Sequence, residues 1–212
     1  MNKATSTLSL VLGILAGIMG IEHGIGETLQ GNRPTAGSFI LSWPDSPFFA
    51  IMAGEPAMTL IPNYLLTGLA AMLLSAAFLF VLLRRGPHGD ILLFGLLVLM
   101  LLCGAGFGPP ILGLIAVLIG LKRDSPLKLW SRLPAGLHRL LRMLWPWSLA
   151  LCLLGWMMLF PGASLIAYFT GIDDALLMMV PILIAFVLIP VTMLLGFSWD
   201  VLRRGSMPLK PS

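Results

Sequence analysis

Two ionisable residues near the end of the first apolar stretch have the types and spacing to share a proton or a cation. His23 and Glu27 are four residues apart, so on an α-helix they lie on one face. An imidazole and a carboxylate are both common metal ligands. A complete metal site needs about three or four ligands, so we predict neither a bound metal nor another cofactor. A solvated helix end is the simpler alternative for this pair.

Four further acidic residues are candidates for the same polar site. Glu55 lies in the loop sequence Gly54-Glu55-Pro56, which is apolar enough to fold back onto the helices. Asp173 and Asp174 precede the last apolar stretch, where capping of a helix N-terminus is the alternative. Glu22 is a candidate by proximity, although a helical wheel places it opposite the face described next. The sequence does not show whether these residues converge.

A stripe of glycines precedes His23 on the same helix. At 100° per residue these glycines lie within about 40° of one direction, and a smooth face of this kind lets another helix approach closely. We predict helix packing, within the chain or against a partner chain or second copy, through Gly13, Gly17, Gly20 and Gly24.

Composition indicates what surrounds these residues. Apolar residues make up 58% of the chain and charged residues 10%, and the mean hydropathy is +0.98. Soluble domains carry about 25% charged residues. The chain therefore lacks the polar surface of a soluble enzyme, a disordered tail or a nucleic-acid-binding module, and we predict an integral membrane protein in contact with the lipid bilayer.

Apolar runs of the length needed to cross about 30 Å of hydrocarbon define the predicted elements. We expect an all-α polytopic transmembrane bundle, forming a single domain over residues 1–212. The run 91–121 is too long for one helix, and its Gly- and Pro-rich centre, Gly104 to Pro110, predicts a hairpin; one broken helix, giving five segments, is the alternative. The six predicted segments cover residues 6–26, 62–83, 91–106, 109–121, 147–160 and 175–201.

Basic residues set the predicted orientation. With both termini in the cytoplasm, every Lys and Arg except Arg33 falls on the cytoplasmic side, as the positive-inside rule requires. Residues 132–145 have a basic and a leucine-rich face, which predicts an amphipathic helix lying in the interface. We expect contact with anionic lipid through Lys122, Arg123, Lys128, Arg132, Arg139 and Arg142.

Three function classes remain open. The first is a small transporter or transporter subunit, with an outward-facing polar site built from His23 and the acidic residues. The second is a structural or regulatory subunit of a membrane complex. The third is a membrane-embedded enzyme acting on a lipid, with His23 as general base; we rank it last because no nucleophile stands out. Compactness suggests a bacterial inner membrane.

Overall fold

The computed structural model describes residues 1–86, 88–171 and 175–205, and these are mostly helical. Two short strands lie between the first two helices. The strands are β1 (Phe39–Leu41) and β2 (Pro56–Met58). The helices are α1 (Lys3–Leu29), α2 (Tyr64–Arg84), α3 (Gly89–Leu102), α4 (Gly108–Gly120), α5 (Ala135–Met157), α6 (Ala163–Thr170) and α7 (Ala175–Gly205).

Four of the described helices are long and apolar enough to cross a membrane. They are α1, α2, α5 and the part of α7 from Leu183 to Arg203. Helices α3 and α4 are apolar but have 14 and 13 residues, which at 1.5 Å per residue is about 20 Å each. Both are shorter than the hydrocarbon layer of about 30 Å. The all-α class is therefore confirmed, whereas a count of six spans stays a prediction.

The described residues divide into two compact units, which we call the first unit (Ser9–Leu118) and the second unit (Met1–Leu8 with the described residues from Ile119 on). In the first unit, the glycine stripe of α1 packs on α2. A Cβ built on Gly13 would lie 2.6 Å from the side chain of Leu82, and one on Gly24 would lie 2.7 Å from the carbonyl oxygen of Gly68. The contact nearer the C-terminus of α1 involves the residue nearer the N-terminus of α2, so the two helices are antiparallel.

The helical run is interrupted between α3 and α4, and the backbone there pairs with the last residue of β2 and with Leu60. Gly104 N donates to Met58 O at 2.8 Å, and Leu60 N donates to Leu102 O at 2.9 Å. Gly104 and Gly106 have φ of +85° and +76°, which glycine adopts readily. A Cβ on Gly113 of α4 would overlap Leu97 of α3. Gly113 and Leu97 are separated from Ala105 by the same number of residues in the sequence, so α3 and α4 pair as in an antiparallel hairpin.

The loop before α2 contains an antiparallel β-hairpin that we did not predict. Its register pairs Phe39 with Met58 and Leu41 with Pro56. The ladder continues beyond the strands, because Ser42 N donates to Glu55 O at 3.2 Å. A Cβ on Gly26 of α1 would lie 2.6 Å from the carbonyl oxygen of Ser42 and from the ring of Trp43, so the loop packs on the C-terminal end of α1.

The second unit corrects the prediction of a separate interfacial helix over residues 132–145 followed by a span over 147–160. Helix α5 is continuous through Pro146, from Ala135 to Met157, and one π-helical turn, Met158–Gly162, joins it to α6. Proline removes one backbone donor, but the helix extends on both sides of Pro146. Helix α5 therefore continues past the point where its sequence changes from basic to apolar.

Small and polar side chains join α5 and α7 within the second unit. The hydroxyl oxygens of Ser148 and Thr192 lie 2.5 Å apart, and a Cβ on Gly155 would lie 3.3 Å from Ala185. Asp200 of α7 accepts hydrogen bonds from Ala4 N and Thr5 N at 2.9 and 3.0 Å. Asp200 thus caps the first turn of α1, which carries unpaired N–H groups.

Candidate functional site

The polar end of α1 brings together a histidine and two carboxylates, which we call the Glu22–His23–Glu55 cluster. Glu22 and His23 are adjacent on α1, and Glu55 comes from the turn before β2. Each residue offers one ligand atom, and these atoms lie within 4.8 Å of one another. All three residues belong to the first unit.

Three oxygen atoms surround Nδ1 of His23. The carbonyl oxygen of Met19 lies 3.0 Å away, Oε2 of Glu22 lies 3.2 Å away, and Oε2 of Glu55 lies 3.3 Å away. An imidazole nitrogen carries at most one proton, so one N–H group cannot satisfy three acceptors. The arrangement therefore calls for a further positive species, either a proton on a carboxylate or a bound cation.

The three side chains of the cluster are buried, so leaving their negative charge unbalanced costs free energy. The side chains of His23 and Glu55 are 6% and 4% exposed, and that of Glu22 is 13% exposed. Among the described residues, Oε1 of Glu22 and Oε2 of Glu55 have no hydrogen-bond partner. Burial, then the charge of Glu22 nearby and a side-chain hydrogen bond to Glu22, raise the pKa of Glu55 from 4.5 to about 10. Glu55 therefore holds a proton at neutral pH unless a cation replaces it.

Backbone geometry places Glu55 in this cluster. Ala53, Gly54 and Glu55 all have positive φ, at 52°, 72° and 53°. The left-handed conformation costs a non-glycine residue about 1–2 kcal/mol, and strain of this kind persists where the surrounding structure enforces it. Here the bond between Ser42 N and Glu55 O enforces it.

Glu27 supports the cluster from a neighbouring position. It is fully buried, its Oε1 accepts from Ser42 Oγ at 2.8 Å, and its Oε2 accepts from Gln30 Nε2 at 3.0 Å. Ser42 is the residue whose backbone N–H donates to Glu55 O. Glu27 is therefore a positioning residue, which ties α1 to the strand that holds Glu55.

The break between α3 and α4 closes the other side of His23. A Cβ on Gly106 would overlap Nε2, Cδ2 and Cε1 of the imidazole. A side chain at Gly106 would thus occupy the space of the ring. The glycine leaves room for His23 and holds the imidazole against the cluster.

The structure brings together some of the predicted residues and separates others. Glu22 joins the cluster, and its placement on an opposite face was misleading because adjacent residues differ by only 100° and a glutamate side chain reaches around the helix. His23 and Glu27, which the sequence places near enough to share a proton or a cation, have different partners among the described residues. Asp173 and Asp174 lie outside the described residues.

The basic residues predicted to contact lipid all lie in the second unit. Arg123 is half-buried, and its Nε lies 3.5 Å from Oδ2 of Asp124. The remaining five are exposed, namely Lys122, Lys128, Arg132, Arg139 and Arg142.

Sequence reasoning missed several groups that complete the site. The carbonyl oxygen of Met19 and the side chains of Ser42 and Gln30 give no signal in a motif search. Gly106 had a signal, since it lies in the Gly- and Pro-rich break. A glycine in an apolar interruption of a helix indicates that another group packs closely against it. The structure shows that this group is the imidazole of His23.

Comparison of the chain with models of known protein families, with curated proteins and with solved structures finds no match. One imidazole nitrogen and two carboxylates can hold a divalent transition-metal ion, for which mixed nitrogen and oxygen ligands are suitable. The same groups can retain and release a proton.

Proposed function

We propose that this chain is a polytopic membrane protein that acts as a small cation transporter or transporter subunit. Four long apolar helices and the composition support the membrane location. The distribution of Lys and Arg supports cytoplasmic termini, and in that orientation the Glu22–His23–Glu55 cluster faces the outer side. A bacterial inner membrane fits this orientation.

The observation that carries the proposal is the convergence of three acceptor oxygens on one buried imidazole nitrogen. Buried carboxylate oxygens without hydrogen-bond partners, such as Oε1 of Glu22 and Oε2 of Glu55, are rare, because each costs about 1–3 kcal/mol or more when charged. Such atoms are retained where they serve a purpose, and binding a cation would satisfy them. The broken backbone beside His23 is also a feature that transporters use at substrate sites.

A single exchange step follows from this geometry. In the cation-free site Glu55 carries the proton. A divalent ion that binds His23 Nδ1 and the carboxylates of Glu22 and Glu55 displaces that proton, because ligands bind metals in their deprotonated form. The imidazole stays neutral, and its one proton moves from Nδ1 to Nε2 so that the lone pair of Nδ1 faces the ion. The Glu55 O–H bond breaks, the metal–oxygen bond forms, and the proton leaves to water. Exchange of a cation for a proton at one site is the elementary step of coupled transport.

The alternatives have weaker support. The structural-subunit hypothesis relied on the glycine face of α1, and in this structure Gly13 and Gly24 pack on α2 of the same chain. The enzyme hypothesis needs a nucleophile for His23 to activate. The groups that contact Nδ1 of His23 are acceptor oxygens instead.

Reconstituted vesicles test the proposal. We expect Zn²⁺ added outside to enter vesicles containing the wild-type chain and to change the internal pH reported by a trapped dye. Both signals should be lost in Glu55→Gln and His23→Ala, and kept in Asp45→Asn, which removes an exposed carboxylate of the same loop. Titration calorimetry in two buffers should give about one proton released per ion. Zn²⁺ flux unchanged in Glu55→Gln would refute the proposed site.

A further inference from the structure

The second unit contains a cavity of about 600 Å³ that is separate from the cluster described above. Small-molecule sites usually measure about 300–1,000 Å³, so its size is that of a binding site. Its lining combines polar and basic residues with apolar ones. It is lined by Ser131, Leu133, Ala135, His138, Arg139, Arg142, Val201 and Leu202.

His138 is the feature of this cavity that needs an explanation. Its side chain is 4% exposed, and neither ring nitrogen has a hydrogen-bond partner among the described residues. Leaving such a group unpaired costs about 1–3 kcal/mol. Because His138 lines the cavity, a ligand that accepts a hydrogen bond there would remove this cost.

Two arginines give the cavity its charge. Arg139 and Arg142 are exposed, and they lie one and four residues after His138 on the first turns of α5. In the part of the chain that the structure describes, neither guanidinium has an ion-pair partner. Asp200, the acidic residue just before Val201 and Leu202, is already bonded to Ala4 and Thr5. The cavity therefore keeps an uncompensated positive charge.

The start of α5 adds to the preference for an anion. Pro134 precedes the helix and provides no side-chain cap. The N-terminus of a helix of this length carries a partial positive charge and free N–H groups, which favour phosphate and carboxylate groups. Arginine suits phosphate in particular, since its guanidinium donates two parallel hydrogen bonds.

We propose that this cavity binds the phosphate group of an anionic phospholipid, with His138 and Arg142 as donors to the phosphate oxygens. The apolar lining supports a lipid over free phosphate, because Leu133, Ala135, Val201 and Leu202 offer a surface to the glycerol and acyl part. The uncompensated arginines fit a headgroup with net negative charge. This inference does not depend on the proposed cation site.

The test uses the full chain in nanodiscs of phosphatidylcholine, titrated with phosphatidylglycerol and followed by native mass spectrometry. We expect one phosphatidylglycerol to be retained by the wild-type chain. Arg142→Gln should weaken retention about tenfold or more, as expected for loss of a charged hydrogen bond. Arg84→Gln, which removes an exposed arginine of the first unit, should leave it unchanged. His138→Phe, which keeps the ring volume, should weaken retention as Arg142→Gln does.

Two results would overturn the inference. One is equal retention in Arg142→Gln and Arg84→Gln, which would mean that the cavity does not hold the headgroup. The other is displacement of phosphatidylglycerol by millimolar inorganic phosphate with equal binding of phosphate in detergent, which would make free phosphate the ligand. Should His138→Phe fail to fold, the exposed Arg142 still decides between these results.

Discussion

Gly106 provides the sharpest test of how the cluster is held together. The replacement Gly106→Ala adds one methyl group at a position with φ of +76°, where that methyl would overlap the imidazole of His23. Neither adjustment is easy. The backbone is anchored by the neighbouring bond from Gly104 N to Met58 O, and Nδ1 of the ring is hydrogen-bonded to Met19 O at 3.0 Å.

The magnitude follows from two separate costs. A non-glycine residue in the left-handed conformation costs about 1–2 kcal/mol, and overpacking by one methyl group costs about 1–3 kcal/mol. Together they predict a loss of about 2–5 kcal/mol, divided between lower stability and displacement of His23. If half of that loss displaces the ring, Zn²⁺ affinity falls by about fivefold to sixtyfold at 1.4 kcal/mol per factor of ten.

Two measurements on the same preparation separate these effects. Thermal unfolding in detergent reports stability, and Zn²⁺ titration of the folded protein reports affinity. The matched control is Gly95→Ala in α3, where a Cβ would meet open space. Alanine is favoured over glycine in a helix by about 1 kcal/mol in soluble hosts, so the control should be neutral or slightly more stable. If Gly106→Ala matched Gly95→Ala in both measurements, the proposed packing of His23 would be wrong.

Two further predictions concern single buried carboxylates. Because the pKa of Glu55 is raised from 4.5 to about 10, the folded chain keeps a proton that the unfolded chain loses above pH 4.5, so stability should fall as pH rises between these values. The melting temperature in detergent should show this fall, and Glu55→Gln should flatten it; identical pH profiles would contradict the prediction. Asp200→Ala leaves the buried N–H groups of Ala4 and Thr5 unpaired and should cost about 2–5 kcal/mol in chemical denaturation. The control Asp124→Ala removes a carboxylate that is 70% exposed and should change stability by about 0.5 kcal/mol or less, and equal losses in the two variants would rule out the capping role.

The sequence predicted a helix well where a long apolar run lies between a capping residue and a basic pair. The predicted segment 62–83 corresponds to α2 at Tyr64–Arg84, which begins after the capping residue Asn63 and ends at the basic pair. The Gly- and Pro-rich break within 91–121 was predicted because these residues oppose a helix wherever they lie. Pro146 shows the limit of such reasoning, since one proline inside an apolar helix did not end it.

The β-hairpin and the exact partners of the site residues had no local signal. Strands of three residues are too short to show alternation, and their pairing joins Phe39 with Met58 across a long loop. The helical wheel treated Glu22 and His23 as facing different sides. It could not include Glu55, because the position of Glu55 depends on the pairing of its backbone with Ser42.

The sequence by itself predicted the helical type of the elements and identified apolar stretches long enough to cross a membrane, because hydropathy and charge act residue by residue. It also identified His23, Glu55 and the break near Gly106 as unusual. Only the tertiary structure decided that these three lie together and that Glu22 joins them. It also showed that Glu27 supports the cluster without belonging to it. Contacts between distant residues depend on how helices and loops pack, and this information is distributed over the whole chain.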